Sequence, residues 1–175
     1  MKITVYLGSF LGKEKIYSEA VKALGNWIGE NGHELVYGGS HAGLMGLLCD
    51  GVVEKGGRVT AVQPGFLIEK AGLHEGVAEL FETKDMSERK AKMIELGDAF
   101  IAFPGGVGTL EEISEIMSHR GLDLIRKPCI IYNVNGYYDY LEKMLDHMTS
   151  EGFLPEENRA KIVFIKGLDE LDGIL

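Results

Sequence analysis

Strand-like and helix-like segments alternate from one end of the sequence to the other, which predicts an α/β fold: a doubly wound parallel sheet with helices on both faces. Two further observations agree. Glycine-bearing stretches at residues 8–12, 38–43 and 105–108 each follow a predicted strand, and ligands of open parallel sheets bind at those strand ends. At the centre stands Pro-Gly-Gly-Val-Gly-Thr-Leu-Glu-Glu, residues 104–112, with an apolar strand before it and a helical pattern after it. The 175 residues suit one domain spanning 1–175 with a full core.

The elements follow in order. Residues 2–7 read as an apolar strand that ends at Gly8-Ser9. Residues 13–30 read as a helix with Ile16, Ala20, Ala23, Leu24, Trp27 and Ile28 on one face, stopped by Asn31-Gly32. Gly25 and Gly29 argue against its last turns. Strands are predicted at 34–37, 58–63 (stopped by Pro64), 79–83, 99–103, 129–133 and 161–165. Helices are predicted at 44–55, 87–96, 109–120, 137–150 and 168–175, and residues 65–76 carry no clear period.

The central stretch has the makings of an anion cradle. Glycines let a ligand approach the main chain, and a helix start offers unpaired N–H groups and partial positive charge. Together these bind phosphate. Two familiar versions are excluded. A Walker A loop needs Gly-Lys-Ser/Thr, and no lysine lies between Gly105 and Thr109; the dinucleotide fingerprint needs a glycine where Glu111 stands. Thr109 and Glu112 also have capping-box spacing, which puts Glu112 in a first helical turn where the dipole holds it ionised.

Arg89 and Lys90 open the helix before the central strand, where basic residues oppose the macrodipole. They form either a solvated face or a guanidinium site for an anion or a leaving base. The formal net charge is −9 and the pI about 5.1, which argues against nucleic acid or an anionic membrane as partner. Cys49 and Cys129 lie in apolar runs and read as reduced core residues in a cytoplasmic protein. The N-terminal apolar run is too short for a signal peptide, and no stretch approaches membrane-spanning length. His33, His41, His74, His119 and His147 lack zinc-ligand spacing. The methionines read as gap fillers of the core or of an interface.

With these residues in view the chain resembles the LOG (Lonely Guy) family of cytokinin riboside 5′-monophosphate phosphoribohydrolases, over nearly its whole length. The motif Pro-Gly-Gly-x-Gly-Thr-x-x-Glu is matched by Pro104, Gly105, Gly106, Gly108, Thr109 and Glu112. Glu88-Arg89-Lys90-Ala91 matches a second motif, and Tyr37-Gly38-Gly39 with Gly43-Leu44-Met45-Gly46 a third. Gly8-Ser9 and Gly136-Tyr-Tyr-Asp139 match more weakly. Ser40, Ser87, Ser118-His119 and Gly121 depart from the common pattern and leave the preferred base open.

The resemblance implies a Rossmann-like sheet, a homodimer, and hydrolysis of a purine ribonucleoside 5′-monophosphate (a cytokinin nucleotide or AMP) to free base and ribose 5-phosphate. Arg89 and Glu112 are then the catalytic pair. Gly8, Ser9, Gly39, Lys90, Gly105, Gly106, Gly108 and Thr109 bind substrate or its phosphate. No metal or cofactor is called for. A carboxylate below the ribose stabilises oxocarbenium character and activates water, as in glycosidases. The alternative is a nucleotide-binding sensor or carrier without catalysis. A pyridoxal-phosphate lysine decarboxylase is disfavoured, since nothing marks a Schiff-base lysine with an acidic pyridinium partner.

Overall fold

The computed structural model of the protein describes residues 1–175, the side chain of residue 71 excepted. Seven strands form one parallel sheet: β1 (Lys2–Tyr6), β2 (Glu34–Tyr37), β3 (Arg58–Pro64), β4 (Glu79–Thr83), β5 (Ala99–Ala102), β6 (Cys129–Tyr132) and β7 (Ile162–Ile165). Their order is β4-β3-β2-β1-β5-β6-β7, and every neighbouring pair is parallel. Strand order therefore reverses at β1, which pairs with β2 on one side and β5 on the other. The crevice at that reversal, at the carboxyl ends of β1 and β5, is where such sheets bind ligands.

The helices are α1 (Lys15–Glu30), α2 (Gly43–Glu54), α3 (Gly65–Ala71), α4 (Met86–Leu96), α5 (Val107–Gly121), α6 (Asp139–Ser150) and the short α7 (Glu156–Arg159). Side chains alternate between the two faces of each strand, so each strand serves two cores. Ile3, Val5, Leu35, Tyr37, Ile101 and Ile130 pack with Leu24 and Ile28 of α1 and Leu48 and Val52 of α2. Tyr6, Val36, Phe100 and Ile131 face the other way, onto Met93 of α4, Ile113 and Ile116 of α5, and Leu145 of α6.

α1 runs to Glu30 as the sequence predicts, and two other expectations are revised. Gly25 does not end α1 early. It sits where α1 crosses α2, and a Cβ there would lie 3.1 Å from the Gly51 Cα, so the glycine permits close helix contact. Residues 65–71 form α3, which follows Pro64 and stops at Gly72 in a positive-φ conformation. A strand end, a proline and a terminating glycine hide so short a helix from periodicity. At the C-terminus the last helix is a 3-10 segment, Leu168–Gly173. Among the described residues no helix is long and apolar enough to cross a membrane.

Candidate active site

The three glycine loops meet at the sheet reversal. The Gly8 N–H donates to the Pro104 carbonyl at 3.2 Å, joining the β1–α1 and β5–α5 loops. A Cβ on Gly8 would stand 3.1 Å from the Gly105 Cα, so the two backbones touch. The Ser9 carbonyl packs against Gly43 at the start of α2. The result is a cleft of about 420 Å³ whose lining includes Gly8, Ser9, Gly38, Ser40, Gln63, Arg89, Gly106, Gly108, Thr109 and Glu112. Tyr137 donates its hydroxyl to the Gly105 carbonyl, and Tyr138 donates to the Phe103 carbonyl at 2.9 Å. These two tyrosines hold the central loop from behind; only the weak match of residues 136–139 pointed to them.

α5 begins at Val107, two residues earlier than its apolar period suggests, because glycines carry no hydrophobic signal. Gly106 is its N-cap and no side chain caps it. The first intrahelical bond runs from the Leu110 N–H to the Gly106 carbonyl. The amides ahead of Leu110 therefore lack intrahelical partners at the positive end of a 15-residue helix. The expected capping box is not formed, and Glu112 is the sixth residue of α5 rather than a member of its first turn. Its ionisation is governed by other neighbours.

Those neighbours are burial and Arg89. Arg89 and Glu112 are both buried, at 8% exposure each, and the Arg89 Nη1 donates to the Glu112 Oε1. The Arg89 Nε donates to the Val62 carbonyl at 3.1 Å, which pins the guanidinium plane. A Cβ at Gly38 would lie 2.5 Å from the Arg89 Nη2 and 2.7 Å from the Met45 Cε, so only glycine leaves room for the fork. Burial pushes the Glu112 carboxyl above the ordinary glutamate range, and Arg89 opposes that rise. Tyr6 lies on the cleft floor; burial and then the Glu112 charge push its phenol upward. Sequence reasoning missed Tyr6, whose signal is that of an ordinary core strand residue.

Lys90 takes a different course. Its ammonium is held between Glu111 and Glu115 of α5, at 3.0 Å from the latter, and it does not line the cleft. Both carboxylates raise its pKa, Glu111 first. The expected phosphate contact from Lys90 is thus replaced by a tie between α4 and α5: one helical position on from Arg89, the side chain turns toward the neighbouring helix. Gly39 sits behind the cleft wall, where its positive φ turns the loop and its carbonyl accepts from the His74 N–H at 2.9 Å. Gly105 lines a smaller adjoining cavity with Gly8, Gly106 and Tyr137.

A family model described as "Possible lysine decarboxylase" matches residues 45–172. The chain is 39% identical to a cytokinin riboside 5′-monophosphate phosphoribohydrolase of Rhodococcoides fascians, over 95% of this chain and 85% of that protein. It is 41% identical to the enzyme of that name, LOG, of Oryza sativa subsp. japonica, over 93% of this chain and 67% of the relative. The chain belongs to the LOG family. A further LOG relative, from Arabidopsis thaliana, is 41% identical over 97% of this chain and 78% of its own length. The fold extends further than these sequences. The molybdenum cofactor carrier protein of Chlamydomonas reinhardtii superposes with a TM-score of 0.73 at 19% identity, over 98% of this chain and 93% of that one. A molybdenum cofactor binding protein of Rippkaea orientalis gives 0.71 at 19%, over 98% and 93%. At that identity the likeness concerns the Rossmann-like fold alone.

Proposed function

We propose that this LOG-family chain hydrolyses the N-glycosidic bond of a purine ribonucleoside 5′-monophosphate, releasing free base and ribose 5-phosphate. The observation that carries the reading is the buried Arg89–Glu112 pair on the cleft wall, beside an uncapped helix start. The phosphate is held by the Gly106–Thr109 amides and the Thr109 hydroxyl, with Gly8 and Ser9 closing the other side. This places the ribose over Glu112. As the bond from the anomeric carbon to the base nitrogen lengthens, positive charge develops on the sugar and the Glu112 carboxylate stabilises it. Water attacks the anomeric carbon; Glu112 accepts its proton, and the base leaves with the bonding electron pair and takes a proton from solvent. Arg89 orients Glu112 and lies close enough to stabilise the departing base. A protein that only carried nucleotide would have little use for a carboxylate that repels the phosphate.

The test is release of adenine and ribose 5-phosphate from AMP, with AMP affinity measured alongside. Measurable binding without base release from any purine or pyrimidine monophosphate overturns the hydrolytic reading and leaves a binding protein.

The assembly proposed is a homodimer through α4 and α5, the helices that carry Met93 and Met117. Met93 is wholly buried in its own subunit. Met86 of α4 and Val107 and Leu110 of α5 are exposed apolar residues, and Leu122 and Leu124 follow beyond the end of α5. Light scattering at micromolar concentration is expected to give twice the 19.2 kDa chain mass; the monomer mass alone would rule the dimer out. Free, buried Cys49 and Cys129 support a reducing, cytoplasmic setting.

A further inference from the structure

The loop that leads into α5 is held by its carbonyls. Phe103 accepts from the Tyr138 hydroxyl at 2.9 Å, Pro104 from the Gly8 N–H at 3.2 Å, Gly105 from the Tyr137 hydroxyl, and Gly106 from the Leu110 N–H at 3.1 Å. The Gly106 N–H, by contrast, has no hydrogen-bond partner among the described residues. In a trans peptide the C=O and the following N–H point in opposite directions. The Gly105–Gly106 peptide is trans, and its carbonyl is turned to Tyr137, so the Gly106 N–H is turned away from Tyr137. Tyr137 and Gly105 line the small adjoining cavity, whereas Gly106 lines both that cavity and the cleft.

Little else fixes this peptide plane. Glycines flank it on both sides, so its rotation is opposed by no Cβ. The space where a Cβ on Gly106 would stand holds no atom within 4 Å. The donor itself is braced. Tyr137 follows a tight turn after β6 in which Asn135 and Gly136 both take positive φ, 53° and 71°. A residue other than glycine is uncommon in that region of backbone space, and asparagine is among the types that tolerate it. The buried Asn133 ties the turn: its side chain accepts from the Tyr138 N–H at 2.7 Å and donates to the Asp139 carboxylate at 2.8 Å. The rings of Tyr17 and Tyr138 stand edge-on to the Tyr137 ring, at centroid distances of 5.9 and 4.9 Å. The turn therefore aims one phenol at one carbonyl.

We propose that Tyr137 is a positioning residue of the phosphate cradle: its hydroxyl locks the Gly105–Gly106 peptide with the Gly106 N–H facing the cleft, where it donates to a phosphate oxygen of the substrate. This rests on phosphate binding at this loop in the reading above. The phosphate carries the same charge in the ground state and at the transition state, so an amide that binds it favours both alike. Its misorientation raises KM and leaves kcat in place.

The experiment uses Tyr137→Phe, which keeps the ring and its edge contacts and removes the hydroxyl. Tyr17→Phe is the control, since among the described residues the Tyr17 hydroxyl makes no hydrogen bond to the loop. For both variants and the wild type, kcat and KM are measured with AMP and Kd with ribose 5-phosphate. Tyr137→Phe is expected to raise KM and Kd about five- to tenfold, the scale of one hydrogen bond, with kcat within about twofold of wild type. Tyr17→Phe is expected to match the wild type. Unchanged KM and Kd in Tyr137→Phe overturn the inference, and so does a loss confined to kcat. Equal losses in Tyr17→Phe also overturn it, because they mark a general loosening of the aromatic cluster. If the wild type releases no base, the hydrolytic reading fails; Kd for AMP then takes the place of KM, and the same comparison decides Tyr137.

Discussion

Glu112→Gln is expected to slow release of adenine from AMP by roughly two to four orders of magnitude, about 3–5 kcal/mol of transition-state stabilisation. The substitution keeps the shape of the side chain and an oxygen that can accept from Arg89, and it removes the charge that faces the developing oxocarbenium. AMP affinity is expected to persist or to rise, because a carboxylate near the phosphate is gone. If Glu112 served the fold alone, the pattern would reverse: activity kept, stability lost. Its place as the sixth residue of α5 already removes a capping role. The wild-type acid limb carries the same information. Burial raises the Glu112 carboxyl, so protonation, which disables it, begins at higher pH than for an ordinary glutamate. At saturating AMP, kcat is expected to fall with decreasing pH above the usual glutamate range; a limb at or below that range would dissociate activity from Glu112.

Arg89→Ala is expected to cost at least about two orders of magnitude in turnover, the scale of losing one preorganised electrostatic group. The physical cause is double. The guanidinium is fixed by Val62 and Glu112, so its charge is aimed before substrate arrives. Its removal also leaves Glu112 buried without its counter-charge, which raises the carboxyl further and costs about 3–5 kcal/mol of stability. Urea unfolding separates the two effects. Arg89→Lys is the companion variant: it retains a cation but not the planar fork, so it is expected to fold better than the alanine variant and still turn over slowly. Turnover at the wild-type level in a folded Arg89→Ala protein would return Arg89 to a structural role.

Much of this was legible in the chain. Alternating apolar segments with glycine and proline between them specify a parallel sheet, since period and punctuation are local properties. The motif residues at 104–112 and 88–91 marked one strand end and one helix, and the family follows from them. Gly8, Ser9, Gly106, Gly108, Thr109, Arg89 and Glu112 do line one cleft.

What only the tertiary structure decided is how those pieces face each other. Adjacent in sequence, Arg89 and Lys90 looked alike; one helical step of about 100° sends the first to Glu112 and the second to Glu111 and Glu115. Glycine has no side chain to show a hydrophobic period, so the true start of α5, and with it the place of Glu112 in the second turn, depended on the loop geometry.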